Sequence, residues 1–209
     1  KTDLAGFTAA LHTLASRPGV DRTQLFLFGH SIGAGMAARI ATTRQVAGIM
    51  VYGAGFKPWL TYERENYARQ LSLRRLTTVK RNSLIKNHEH VMELFYGQKL
   101  PMSTICARYP HFTMHCDSRF YLMERAAAFF LQLAASAPSY YWTRVKAPVL
   151  AMWGGTDLTT TAADHRAIVG AVPPPHRARS WYRAFPGTNH SMERLTPKTR
   201  TYRFDAAIL

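Results

Sequence analysis

The chain has 209 residues, of which 47% are hydrophobic and 19% charged, enough apolar content for a sizeable core and inconsistent with disorder. Lys and Arg number 27 against 12 Asp and Glu, a net charge of +15 at pH 7. The most apolar run, Ala126–Ala135, falls far short of the roughly 20 residues a helical membrane span needs, and two cysteines, Cys106 and Cys116, exclude a disulfide scaffold or a four-cysteine zinc site while leaving their own pairing open.

The length fits one α/β domain or part of a larger one. The chain opens Lys1-Thr2-Asp3 with neither an initiator Met nor an apolar signal segment, so a preceding region is expected. Thr2 or Asp3 can cap a first helix whose apolar positions Leu4, Phe7, Leu11 and Leu14 recur at three and four, and Arg17-Pro18-Gly19-Val20-Asp21 ends it as a turn. Gln24–Phe28 (QLFLF) has the continuous apolar pattern of a strand buried on both faces. A helix is predicted over Ile32–Thr42 and a second buried strand over Gln45–Tyr52.

From about Lys57 to Lys146 the pattern becomes helical, aromatic and Arg-rich, as in Trp59–Leu73 and Phe120–Leu133, with breaks at Pro101, Pro110 and Pro138. Alternation then returns, with a strand at Pro148–Trp153, a helix at Ala162–Val172 and a strand at Arg179–Phe185. Strands alternating with helices imply a parallel sheet, with the long block inserted between two of its strands. The positive charge is spread along the chain. Its densest acid-poor stretch, Arg69, Arg74, Arg75, Lys80, Arg81 and Lys86, reads first as a solvated face, with an anion-attracting role as the alternative. No zinc-finger spacing, aromatic RNA-binding motif or Gly-Lys-Ser/Thr phosphate loop is present, so no dedicated nucleic-acid site is expected.

The strongest chemical signal is Gly29-His30-Ser31-Ile32-Gly33, set directly between a strand and a helix. A serine hydroxyl is a poor nucleophile unless exposed, aimed and placed beside a base. A sharp strand-to-helix turn does the aiming, the flanking glycines permit it, and Gly35 with the alanines at 34, 37 and 38 lets the helix approach the sheet closely. An acid and a base are then expected on loops at the carboxyl ends of later strands. Asp157 follows PVLAMW in Gly154-Gly155-Thr156-Asp157, and His190 follows SWYRAF in Pro186-Gly187-Thr188-Asn189-His190.

In this order of serine, aspartate and histidine the sequence resembles the α/β-hydrolase superfamily, in particular its lid-bearing esterase, lipase and serine-aminopeptidase-like branch. The resemblance is carried by FLFGHSIGAG, APVLAMWGGTD and PGTNH. A narrower one, to bacterial hydrolases with a PDZ module upstream, rests on VYGAGFKPWLTYERENYARQL and APVLAMWGGTDLTTTAADH. The superfamily resemblance implies a hydrolase core over residues 1–56 and 147–209 and a helical lid over 57–146. Ser31 would be the nucleophile, His190 the general base and then acid, Asp157 the orienting carboxylate and the Ile32 backbone N–H one oxyanion donor. No cofactor or metal is implied, and the substrate would be a small molecule or peptide. Superfamily members have earlier strands before the elbow, and a second oxyanion donor in a loop that often carries His-Gly. No His-Gly dipeptide occurs here. That half of the sheet and the second donor are therefore expected to be absent from these 209 residues, leaving an apolar sheet edge exposed.

Other groups are set aside. His88-Glu89-His90 lacks the i, i+4 histidine spacing of a zinc helix and reads as a solvated turn. His111, His115, Cys116 and Asp117 have no second cluster at zinc spacing. Asp164, beside His165, competes with Asp157 but falls within a helical pattern, where capping or surface roles are expected. Aromatic residues such as Trp59, Tyr62, Phe129 and Phe130 could line an acyl pocket, though most read as lid core. The leading expectation is hydrolysis of a carboxylic ester, with amide or peptide hydrolysis by the same residues, and an anion-binding module without turnover, as alternatives.

Overall fold

The computed structural model describes residues 3–112, 116, 125–196 and 201–208. The chain forms two compact units: Lys1–Lys57 together with Pro138–Leu209, and Pro58–Ala137 inserted between them in sequence. The insertion ends earlier than residue 146 because Trp142 and Val145, both fully buried, belong to the core of the first unit.

In that first unit, helix α1 (Asp3–Ala15) precedes strand β1 (Phe26–His30), helix α2 (Ile32–Thr43) and strand β2 (Gly48–Tyr52). After the insertion come α7 (Pro138–Trp142), β3 (Val149–Gly154), α8 (Ala162–Ala171), α9 (Pro174–Arg177), β4 (Trp181–Phe185) and a hairpin, β5 (Glu193–Thr196) and β6 (Thr201–Phe204). β1 to β4 form an all-parallel sheet in chain order, with His30 opposite Tyr52, Tyr52 opposite Met152 and Gly154 opposite Phe185. This is an α/β arrangement of parallel strands joined by crossover helices.

Small residues explain the close layering. Ala34, Ala37, Ala38 and Ala41 repeat at helical spacing along one buried stripe of α2, packed into the cluster of Ile49, Val51, Val149, Ala151 and Trp142. On the sheet's other face Tyr52, Met152 and Phe185 pack with Met50, Leu150 and Met192. The elements begin and end close to where their patterns place them, except that β2 starts at Gly48 rather than Gln45 and that β1 differs in two respects. Gln24 lies in a short 3-10 turn rather than in β1, and β1 is not buried on both faces, because Phe26 and Phe28 are each 53% exposed. Among the described residues β1 has a strand on one side only. A continuous apolar run does not reveal whether both faces are covered. The β5–β6 hairpin, rich in charged residues, has no apolar pattern that would announce it.

The inserted unit contains α3 (Trp59–Ser72), α4 (Thr78–Met92) running into a wider π-type turn at Glu93–Gly97, α5 (Met102–Arg108) and α6 (Ala127–Ala134). Its core is Val91, Leu94, Phe95, Ile105, Phe112 and Phe130, with Trp59 and Phe129 packed against it. Cys106 and Cys116 form a disulfide across 10 residues, with Cα atoms 5.5 Å apart. Residues 120–124 of the helical pattern predicted over Phe120–Leu133 lie outside the described residues, as do His115 and Asp117. Arg74, Arg75 and Lys80 are exposed around the α3–α4 turn. No helix among the described residues is long and apolar enough to cross a membrane.

Removing the largest fully buried side chain tests the core assignment. Trp142→Ala is expected to cost about 3–5 kcal/mol in urea denaturation, whereas Val79→Ala, at an 81% exposed site, should shift stability by no more than about 0.5 kcal/mol. Equal, small effects from the two changes would contradict the assignment.

Candidate active site

Because the four strands run in one direction, their carboxyl ends share one edge of the sheet, and the loops leaving that edge hold Ser31, Asp157 and His190. Ser31 follows β1 directly, with φ 55° and ψ −123°, a left-handed conformation that costs energy for a non-glycine residue. Its N–H donates to the Tyr52 carbonyl at 2.9 Å, which anchors the turn to β2. Gly29 makes the elbow sterically possible. A Cβ there would meet the backbone of Gly33 and Ala34 at 2.7–2.8 Å, whereas Gly33 and Gly35 have open space around the position of a Cβ. The close approach assigned from sequence to several small residues therefore depends on Gly29 and the α2 alanines. Ile32 is the first residue of α2, and its N–H belongs to the turn that lacks intrahelical acceptors.

His190, in the loop after β4, places Nε2 at 3.0 Å from Ser31 Oγ and Nδ1 at 2.9 Å from Asp157 Oδ2. An ionised carboxylate only accepts, so Nδ1 carries the proton and Nε2 is left to accept from the serine hydroxyl. Asp157 is buried beyond the end of β3. Its Oδ1 accepts from the N–H groups of Thr159 (2.6 Å) and Thr160 (3.0 Å), and Oδ2 also accepts from Thr160 Oγ1 at 2.6 Å. Burial alone pushes the carboxyl upward, but the hydrogen bonds from His190 and Thr160 outweigh it and hold Asp157 below the ordinary carboxylate range. Gly53, at φ 60°, closes the site from β2. A Cβ there would sit 2.8 Å from the His190 ring.

The competing acid is used differently. Asp164 forms a capping box with Thr161 at the start of α8. His165 is fully buried, not at the surface, and its Nε2 accepts from the Ala54 N–H at 2.9 Å while Nδ1 donates to the Thr161 carbonyl at 2.8 Å. Burial keeps this imidazole below its ordinary pKa, in keeping with a neutral ring that bonds the loop after β2. In the inserted unit, His88 is not on a solvated turn: it is buried within α4 and stacked on Tyr67 with ring centroids 4.1 Å apart. Cys116 is committed to its disulfide. No cluster of three metal-ligating side chains occurs among the described residues. Thr160, Gly53, His30 and Tyr52 were not singled out by sequence reasoning: Gly53, His30 and Tyr52 contribute through contacts that only the folded sheet creates, and Thr160 through a local turn onto Asp157 that no sequence pattern marks.

A serine on a strained strand-to-helix elbow, followed by aspartate and histidine after later parallel strands, defines the chain as an α/β-hydrolase. The model of the family described as "Serine aminopeptidase, S33" matches residues 2–192, and the chain belongs to that family. Similar solved structures include VinJ (TM-score 0.54, 17% identity, 90% of this chain and 66% of that one). A puromycin-hydrolyzing peptidase of Mycobacterium tuberculosis (TM-score 0.51, 14% identity) is matched over 90% of this chain and 22% of that one. A monoacylglycerol lipase of Paleococcus ferrophilus (TM-score 0.50, 14% identity) is matched over 90% and 65%. At such identities the likeness is one of fold. The chain spans about two thirds or less of the length of these structures. No curated protein sequence matches it.

Two outcomes follow from the geometry. Gly53→Ala is expected to push the His190 ring off Ser31 and slow fluorophosphonate labelling of the serine; labelling at the wild-type rate would contradict the crowding at Gly53. The second concerns acid stability. A carboxyl whose pKa is lower in the folded than in the unfolded chain stabilises the fold above its unfolded value, about 3.9 for aspartate, and that stability is lost as pH falls through the folded value. The urea midpoint of the wild type should therefore drop more steeply between about pH 5 and pH 3 than that of Asp157→Asn. Parallel pH curves would show that Asp157 is not held ionised by its partners.

Proposed function

We infer that the protein is a serine hydrolase that cleaves a carboxylic ester through an acyl-enzyme, with Ser31 as nucleophile, His190 as base and acid, and Asp157 as orienting carboxylate. The observation that carries this reading is the continuous chain of hydrogen bonds from Ser31 Oγ through His190 to Asp157. As Oγ attacks the acyl carbon, its proton passes to His190 Nε2 and the carbonyl electrons move onto oxygen. The Ile32 N–H at the start of α2 serves as a donor to that oxyanion. When the tetrahedral species collapses, the ester C–O bond breaks and the leaving oxygen takes the proton from His190. A water molecule, deprotonated by His190, then attacks the acyl carbon, releasing the acid and restoring Ser31. Asp157 stays ionised throughout and stabilises the transient imidazolium.

An alkoxide leaves more readily than an amide anion, so an ester demands less of the general acid than an amide does. A second reading, release of an amino-terminal residue by the same steps, is favoured by the description of the family to which the chain belongs. The inserted unit, which follows β2 and precedes β3 in sequence, is read as a lid.

Ser31→Ala should lower turnover of short-chain p-nitrophenyl esters by at least about 10³-fold with no change in circular dichroism. Undiminished turnover in that variant would overturn the serine mechanism. An aminoacyl p-nitroanilide, assayed in parallel, separates the two substrate readings, because faster cleavage of the anilide would replace the esterase assignment with the aminopeptidase one.

A further inference from the structure

Resting on the serine-hydrolase reading, we propose that His30 and Tyr52 are positioning residues that hold the base in place by gripping two consecutive carbonyls of its loop. His30 lies at the carboxyl end of β1, immediately before Ser31, and its Nε2 is 2.7 Å from the His190 carbonyl oxygen. A carbonyl only accepts, so His30 Nε2 bears the proton and donates. Tyr52 lies at the carboxyl end of β2, and its hydroxyl donates to the Asn189 carbonyl at 2.7 Å. The two residues are register partners in the parallel sheet, with ring centroids 6.0 Å apart. The donors thus stand side by side on the most regular part of the unit.

Each donor is tied to the nucleophile as well as to the base. His30 is joined to Ser31 by the peptide bond, and the Tyr52 carbonyl accepts from the Ser31 N–H at 2.9 Å. The chain of contacts therefore closes: Ser31 to Tyr52 by backbone, Tyr52 to Asn189 by side chain, and His190 back to Ser31 Oγ at 3.0 Å, with His30 bracing His190 in parallel. The gripped loop is itself stiff. Asn189 Oδ1 accepts from the N–H groups of Ser191 and Glu193, each at 2.9 Å, which curls residues 189–193 into a fixed turn. A stiff loop held at two points moves as a body or not at all, so the Ser31–His190 distance is set by the strand ends rather than by the loop. Burial favours the neutral form of both donors, holding His30 below its ordinary value and raising the Tyr52 phenol.

The test uses the intact protein with three substitutions. Tyr52→Phe and His30→Met each remove a donor at nearly constant volume, and His30→Gln returns an amide N–H to the position of Nε2. Two quantities are read: kcat and KM for a p-nitrophenyl ester, and, without substrate, the downfield proton resonance of His190 Nδ1–H. Loosening the base is expected to lower kcat by about 10- to 100-fold in Tyr52→Phe and in His30→Met, with KM within about twofold. The His190 resonance should broaden or shift in both, and His30→Gln should recover most of the loss. Tyr52→Phe and His30→Met proteins that keep both the wild-type kcat and the resonance would overturn the proposal, as would a His30→Gln variant no better than His30→Met. If the wild type is inert toward fluorophosphonate while the resonance still depends on the two donors, the serine mechanism fails and the clamp stands.

Discussion

A carboxylate taken out of water must be matched by donors, and the matching at Asp157 organises the site around it. Two N–H groups, the Thr160 hydroxyl and the His190 ring all point at its two oxygens. The Thr159–Thr160 turn can supply its bonds only if the chain leaves β3 where it does. The fourth donor fixes the tautomer of His190 and so leaves the opposite nitrogen to face Ser31. With that one carboxylate satisfied, little freedom remains in the ring that bridges it to the serine.

The second constraint is backbone strain at the elbow. Ser31 occupies a conformation that its own Cβ disfavours, and it is kept there by α2 on one side and the Tyr52 carbonyl on the other. Gly29 allows the helix to approach so closely that any side chain at 29 would strike its first turn. Strain and close packing have the same origin here. The helix must begin at once after the strand if the hydroxyl is to stand clear of the sheet, and only small residues on α2 allow that start.

Several of these features were legible in the sequence, for definite reasons. Strand, elbow and helix around Ser31 show as an abrupt change of period, and the loops of Asp157 and His190 each follow a strand-like run. The helical pattern around Asp164 pointed to a capping or surface role, and the fold makes it the capping one. What stayed hidden depends on contacts made at long range or on which face is covered. The bonds from His30 to His190 and from Tyr52 to Asn189 join residues 160 and 137 positions apart. Phe26 and Phe28 belong to an apolar run that is the same whether its outer face is covered or open. His88 looks like part of a polar triplet and becomes buried only because α4 turns it onto Tyr67. The pairing of Cys106 with Cys116 likewise needed the fold of the inserted unit.

In the proposed mechanism one hydroxyl, set on the elbow and served by His190, is the reactive group. Mass spectrometry of the fluorophosphonate-treated protein after tryptic digestion locates that group directly. The account predicts a single stoichiometric adduct on Ser31, within the peptide Thr23–Arg39. An adduct on another serine, or none under conditions in which the protein turns over an ester, would contradict it.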